Sequence, residues 1–344
     1  MTTTSQSAPE ASPNSKSKSK SKSKSKSSKW VWAKRGMTVL CFILVPVLVF
    51  MLVKNLDWQE VKHALSSYKM STLLIGAGIV AASYLTFASY DVLAKRYIGH
   101  DVPNRQVLPL AFVCYAFNLK LGSWVGGIAL RYRLYSKLGL DATAITKIVS
   151  LCLITNWLGY LFVAGTLFAM GLPALPEGFK IGSTGLQIIG VVIILLGLAY
   201  LAACRFSKKR TWTIRKQEIL LPSFKMALTQ ACLGALNWSL MGLLVWSLLP
   251  DKVGYPTILA ILLISSIAGV ITHIPAGLCV LETIFITLLQ GQYSKGALLA
   301  ALIAYRALYF LLPLAIACVV YLILEKKTRS IEKHREADAS SDTP

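Results

Sequence analysis

Eight apolar blocks divide this chain: residues 37–53, 70–94, 106–130, 148–170, 185–204, 224–249, 257–290 and 297–324, separated by short polar segments. A helix needs about 20 predominantly apolar residues to cross a bilayer, so the blocks read as membrane helices rather than core strands. Two of them are interrupted. Small residues, Gly122, Gly126 and Gly127, break the block 106–130; Pro275 and Gly277 break the block 257–290, where His273 and Glu282 also lie. Glycine permits a tight turn, and proline removes a backbone donor and stops a helix.

The charges between the blocks decide how many cross. If all eight did, the loop "RFSKKRTWTIRKQ", with Arg205, Lys208, Lys209, Arg210, Arg215 and Lys216, would face outward, against the positive-inside rule. If the two interrupted blocks enter and return, Lys95, Arg96, Arg105, "RYRLYSK", that loop and the tail "EKKTRSIEKHRE" all become cytoplasmic. The expected fold is therefore an all-α polytopic membrane protein with six transmembrane spans and two re-entrant helical hairpins. Its membrane domain covers residues 30–328, between a disordered cytoplasmic tail, 1–29, and a second cytoplasmic tail, 329–344. Residues 37–53 follow a charged segment as a signal peptide does, but no small-residue cleavage site follows, so they are expected to stay as a first helix. The outer segment "DWQEVKHALSSY" has apolar residues at helical spacing and is expected along the interface.

The interrupted blocks also resemble one another. "WVGGIALRYRL" (124–134) and "IPAGLCVLETI" (274–284) each place a small-residue break before an apolar stretch and a charge. Pro103 and Pro256 stand 153 positions apart, and Asn156 and Arg306 stand 150 apart. This spacing predicts two repeat units, about 70–170 and 224–324, inverted relative to each other because the joining helix 185–204 changes sides. Inverted repeats with broken helices at corresponding positions point to a transport site near the midplane.

Composition adds three restrictions. The 344 residues are 55% hydrophobic with a mean hydropathy of +0.59, as the block pattern requires. The net charge of +21 owes much to "SKSKSKSKSKSKSSK" (15–29), a tail suited to anionic lipid headgroups, so nucleic acid is not expected as a partner. The seven cysteines show no C-x-x-C spacing and the four histidines are scattered, so neither a metal, a cofactor nor a disulfide is expected.

Charged groups at membrane depth are costly and mark function by default. Arg306 lies midway along the last block, and its planar fork suits a phosphate diester. Glu282 is its natural partner. Arg131 and Arg133 follow the first break, Lys120 lies within the first hairpin, and Asp91 is a candidate counter-ion for these. Asn118, Asn156, Asn237 and His273 complete the expected substrate-binding set.

At "AFNLKLGSWVGGIALRYRLYSKLGL", "SSIAGVITHIPAGLCVLE" and "ALIAYRALYFLLPL" the chain resembles a bacterial inner-membrane family, the one sharing the flippase-like membrane region of lysylphosphatidylglycerol synthase. The resemblance runs over residues 30–328 and is to a stand-alone member without the aminoacyl-transferring domain. It implies a bacterial inner-membrane location, maps the family's break and glutamate onto Pro275, Gly277 and Glu282, and maps its arginine onto Arg306. The expected function is non-enzymatic: flippase-like translocation of an anionic glycerophospholipid, with the headgroup between the two units. There is no G-x-x-x-x-G-K-[ST] motor motif. Two other classes remain open, a small-solute or ion transporter and a membrane-embedded lipid-modifying enzyme.

Overall fold

The structure is a computed structural model that describes residues 58–122, 128–174, 182–207, 211–214, 217–250, 252–272, 280–289 and 291–341. The expected first helix, 37–53, lies outside the described residues, as do His273, Pro275, Gly277, Gly126 and Gly127.

A short helix α1 (Trp58–Ser66) leads into α2 (Met70–Ile98), which stops where Gly99 takes a left-handed conformation, φ 77°, and returns its N–H to Lys95. After α3 (Asn104–Gly122) and α4 (Leu130–Lys137), α5 (Ala142–Ala169) begins at Asp141. The Asp141 side chain accepts from the N–H groups of Ala144 and Thr143, and those bonds hold its carboxyl below the usual range. α6 (Gly182–Phe206) follows, then a small antiparallel pair, β1 (Thr211–Ile214) and β2 (Gln217–Leu220), where the sequence suggested only a basic loop. α7 (Phe224–Leu248), α8 (Tyr255–Thr272), α9 (Val280–Leu289), α10 (Lys295–Arg306), a π turn (Ala307–Leu311) and α11 (Leu312–Ser341) complete the order.

Among the described residues six helices are long and apolar enough to cross a membrane: α2, α5, α6, α7, α8 and the continuous run Lys295–Lys326. Five coincide with expected spans. The sixth, α8, is the first arm of the second interrupted block; its 18 residues rise about 27 Å, close to the apolar thickness of a bilayer. Large apolar side chains remain exposed on the outer faces, among them Leu74 and Leu85 on α2, Ile188, Leu195 and Leu196 on α6, and Val319, Leu322 and Ile323 on α11. Apolar surface of that extent is stable only against lipid, since water would penalise it.

Contacts join the two flanks of each interrupted block. Tyr293, after α9, donates its hydroxyl to the Pro250 carbonyl (2.8 Å) and accepts from the Val253 N–H (3.1 Å), both ahead of α8. Lys252 reaches the Gln292 carbonyl at 3.4 Å. The chain thus leaves α9 beside the point where it entered α8. At the first block His100, ahead of α3, lies edge-on to Tyr135 near the end of α4, with ring centroids 6.4 Å apart.

The order of elements also recurs. α2, α3, α4 and α5 start at residues 70, 104, 130 and 142; α7, α8, α9 and α10 start at 224, 255, 280 and 295, offsets of 154, 151, 150 and 153. The packing exchanges in the same way. α2 lies against α7; α5 lies against α8 while α11 lies against α3; α5 meets α7 while the π turn meets α2. At the α5–α7 crossing the backbones touch. A Cβ on Gly159 would come within 2.1 Å of the Gly234 carbonyl carbon, and one on Gly234 within 2.3 Å of the Thr155 oxygen. Only glycine allows that approach, the usual way membrane helices gain packing where lipid removes the hydrophobic drive.

Candidate functional site

Among the described residues, three ionic assemblies lie within this bundle. In the first, Arg131 on α4 holds Asp91 on α2 bidentately, Nε to Oδ1 at 3.2 Å and Nη2 to Oδ2 at 2.9 Å, while the Tyr135 hydroxyl donates to Oδ1 at 3.0 Å. Side-chain exposure is 4% for Arg131 and 0% for Asp91, so the pair is sealed. A planar fork matched to a carboxylate is the geometry that offsets the desolvation of both ions.

In the second, Glu325 on α11 meets Arg133 Nη2 at 3.3 Å and Lys137 Nζ at 2.8 Å, and Arg133 also donates to the Tyr321 hydroxyl. Two cations on one carboxylate clamp α4 to the last helix. Phe117 on α3 adds an edge-on contact with Tyr321.

The third assembly is the Arg306–Glu282 pair. Arg306 ends α10 and Glu282 lies in the first turn of α9; Nη2 donates to Oε1 at 2.9 Å and to Oε2 at 3.0 Å. Here the side chains retain 22% and 18% exposure. This pair can be approached from outside the protein, which the Arg131–Asp91 pair cannot.

Arg306 owes its position to the π turn that follows it. Pro313 has no N–H to give to the Tyr309 carbonyl four residues back, and its ring crowds that oxygen. The helix answers by widening one turn, with the Leu312 N–H bonded to Ala307. Tyr84 on α2 then supplies the missing donor, its hydroxyl meeting the Tyr309 carbonyl at 3.0 Å. The Tyr309 hydroxyl in turn bonds Ser83 (2.7 Å) and Tyr115 (2.9 Å), and Ser83 donates to Asn237 at 2.8 Å. One buried network therefore ties α2, α3 and α7 to the turn beside Arg306.

These elements lie in a region with a recognisable counterpart: the family model described as the lysylphosphatidylglycerol synthase TM region matches residues 38–317. The chain belongs to this family. The matched region of this LPG synthase membrane-region protein includes Arg131, Asp91, Glu282, Arg306 and Pro313, and stops short of Glu325. It is 46% identical over 310 residues to a protein named "Inner membrane protein YbhN" from Escherichia coli (strain K12), covering 90% of this chain and 98% of that one. It is also 30% identical over 299 residues to "Uncharacterized protein slr0712" from Synechocystis, covering 83% and 89%.

The other expected site residues are dispersed. Asn237 is buried in the tyrosine network; Asn156 is half-buried, and its backbone carbonyl accepts from Trp238 at 3.2 Å. Asn118 keeps a buried Oδ1 with no partner among the described residues. Lys120 and Gly122 lie in the last turn of α3, where only the backbone is described. Among the described residues no three His, Cys, Asp or Glu side chains converge on a point where a metal could sit. Sequence reasoning passed over Tyr84, Pro313 and Glu325. Pro313 was the available signal, a proline inside an apolar block otherwise read as an unbroken span.

Proposed function

We propose that this protein moves a phospholipid between leaflets of a bacterial inner membrane, with its phosphodiester headgroup taken up at Arg306 and Glu282 and its acyl chains left in lipid. The observation that carries the reading is the contrast between two ion pairs at the two chain breaks. Arg131–Asp91 is closed to everything but protein, whereas Arg306–Glu282 is partly exposed. A charge held at membrane depth costs several kcal/mol; leaving a pair open there is favoured only if something polar visits it. Support for the location comes from the relative named an inner membrane protein.

On this reading the two interrupted blocks are re-entrant hairpins, the two units are inverted copies, and both termini are cytoplasmic. The exchanged packing of the units supplies two arrangements of similar energy, one open to each side. Arg131–Asp91 and the Glu325 clamp then hold the first unit rigid while the second presents the headgroup site. Glu282 offers a place for a coupled ion, and lipid moving down its own gradient needs none.

Purified protein in vesicles should speed the exposure of an acyl-labelled phospholipid to an impermeant quencher. Arg306→Ala should slow that rate about tenfold or more, the loss of one charge-assisted contact. A wild-type rate equal to that of protein-free vesicles would overturn the proposal, and uptake of a trapped small solute without lipid movement would replace it with solute transport.

A further inference from the structure

We propose that the headgroup recognised at this site carries a primary ammonium as well as a phosphate, making the substrate class a zwitterionic aminophospholipid rather than a purely anionic one. The inference rests on the translocation reading above and concerns only what the site selects.

A lone arginine at membrane depth would select negative charge. The structure holds no such bare cation here: Glu282 meets Arg306 at 2.9 Å with both of its oxygens within reach, so the formal charges of the exposed pair cancel. A purely anionic headgroup approaching the guanidinium would also approach the carboxylate, and repulsion in a low-dielectric setting removes much of what the arginine offers. A headgroup with a phosphate and an ammonium two carbons apart meets both ions with the right sign. The phosphate accepts from Arg306, and the ammonium, with three N–H donors, gives to Glu282.

The contrast with the Glu325 clamp supports this assignment. That assembly carries net positive charge, two cations on one carboxylate, and would be the better attractor for an anion. Its Arg133 and Glu325 side chains are only 2% and 9% exposed; Lys137 keeps 18%, but all three side chains are engaged in joining α4 to α11. The excess positive charge is thus engaged in an inter-helix clamp, while the Arg306–Glu282 pair is balanced. A balanced pair is a poor trap for an anion and a complementary surface for a zwitterion, which is how specificity arises from a penalty on the wrong partner.

The test uses the full chain in vesicles and three acyl-labelled probes that differ only in the headgroup: phosphatidylethanolamine, its N-acetylated form and phosphatidylglycerol. Phosphatidylethanolamine should move about tenfold faster than either of the others, since each lacks the ammonium that Glu282 accepts. Glu282→Gln should reduce the phosphatidylethanolamine rate to that of phosphatidylglycerol. Phosphatidylglycerol or the N-acetylated lipid moving as fast as phosphatidylethanolamine through the wild-type protein would overturn the headgroup assignment while leaving translocation standing. No probe moving faster than in protein-free vesicles would overturn translocation and the assignment together. The wild-type comparison decides the matter even if the variant fails to fold.

Discussion

Asp91 and Glu282 are both carboxylates matched to an arginine in an apolar bundle, yet they should behave differently when changed. Asp91 has no exposure and three bonds from Arg131 and Tyr135. Asp91→Asn would strand a buried guanidinium, which costs about 3–5 kcal/mol, so the purified variant should melt well below the wild type in detergent. Replacing both members with apolar residues of similar size, Asp91→Leu with Arg131→Met, should recover much of that loss. A double variant that melts no higher than the single would show that the pair does more than balance charge. Glu282, partly exposed, should tolerate Gln with little change in melting temperature. The sequence singled out all four residues, because charge in an apolar block is conspicuous. It offered no means of telling the sealed pair from the open one, since exposure depends on which neighbouring helices cover each pair.

What holds at the level of elements is a set of interruptions, each with its own remedy. The π turn after Arg306 is the clearest. Pro313 removes the donor for the Tyr309 carbonyl and Tyr84 replaces it from another helix. Tyr84→Phe should therefore cost about 1–3 kcal/mol, the penalty of an unsatisfied buried carbonyl, read as a lower midpoint of thermal unfolding. In a Pro313→Ala background residue 313 can donate for itself, and the same Tyr84 change should cost close to nothing. Equal losses in the two backgrounds would refute the linkage, a non-additivity that only contacting partners produce. Helix positions and the α1 helix were legible because hydropathy and helical spacing act locally; the expected breaks at 123–127 and 273–279 lie outside the described residues. Tyr84's bond to residue 309, the Gly159–Gly234 contact and the short β pair in the basic loop were not legible. Each depends on partners set by tertiary packing or by pairing of a loop with itself, which a pattern of apolar positions does not encode.

At the scale of the whole molecule, the two units share an element order but differ in the sign of their charges. Arg131 opens the short arm of the first unit and Glu282, 151 positions on, opens that of the second. Unit one closes its pair against its own first helix and unit two leaves its pair open beside its last, so on the proposed function one unit would serve as frame and the other as site. Whether the two face opposite sides of the membrane depends on the interrupted blocks returning to the side they left. The bonds from Tyr293 to Pro250 and Val253 join the two ends of the second block, and the His100–Tyr135 contact does so for the first. Single cysteines at the exposed positions Asp101 and Thr143, in a chain stripped of its native cysteines, should both resist an impermeant maleimide applied to intact cells. Cysteines at the exposed Lys252 and Gln292 should both react. The assignment of the basic loops to the cytoplasm sets which pair is shielded. If Asp101→Cys and Thr143→Cys label from opposite sides, the first block crosses the membrane completely, α5 and α6 change direction, and the inverted arrangement fails with them. If both pairs label together but with their sides exchanged, the hairpins stand and the charge-based orientation is what must be reversed.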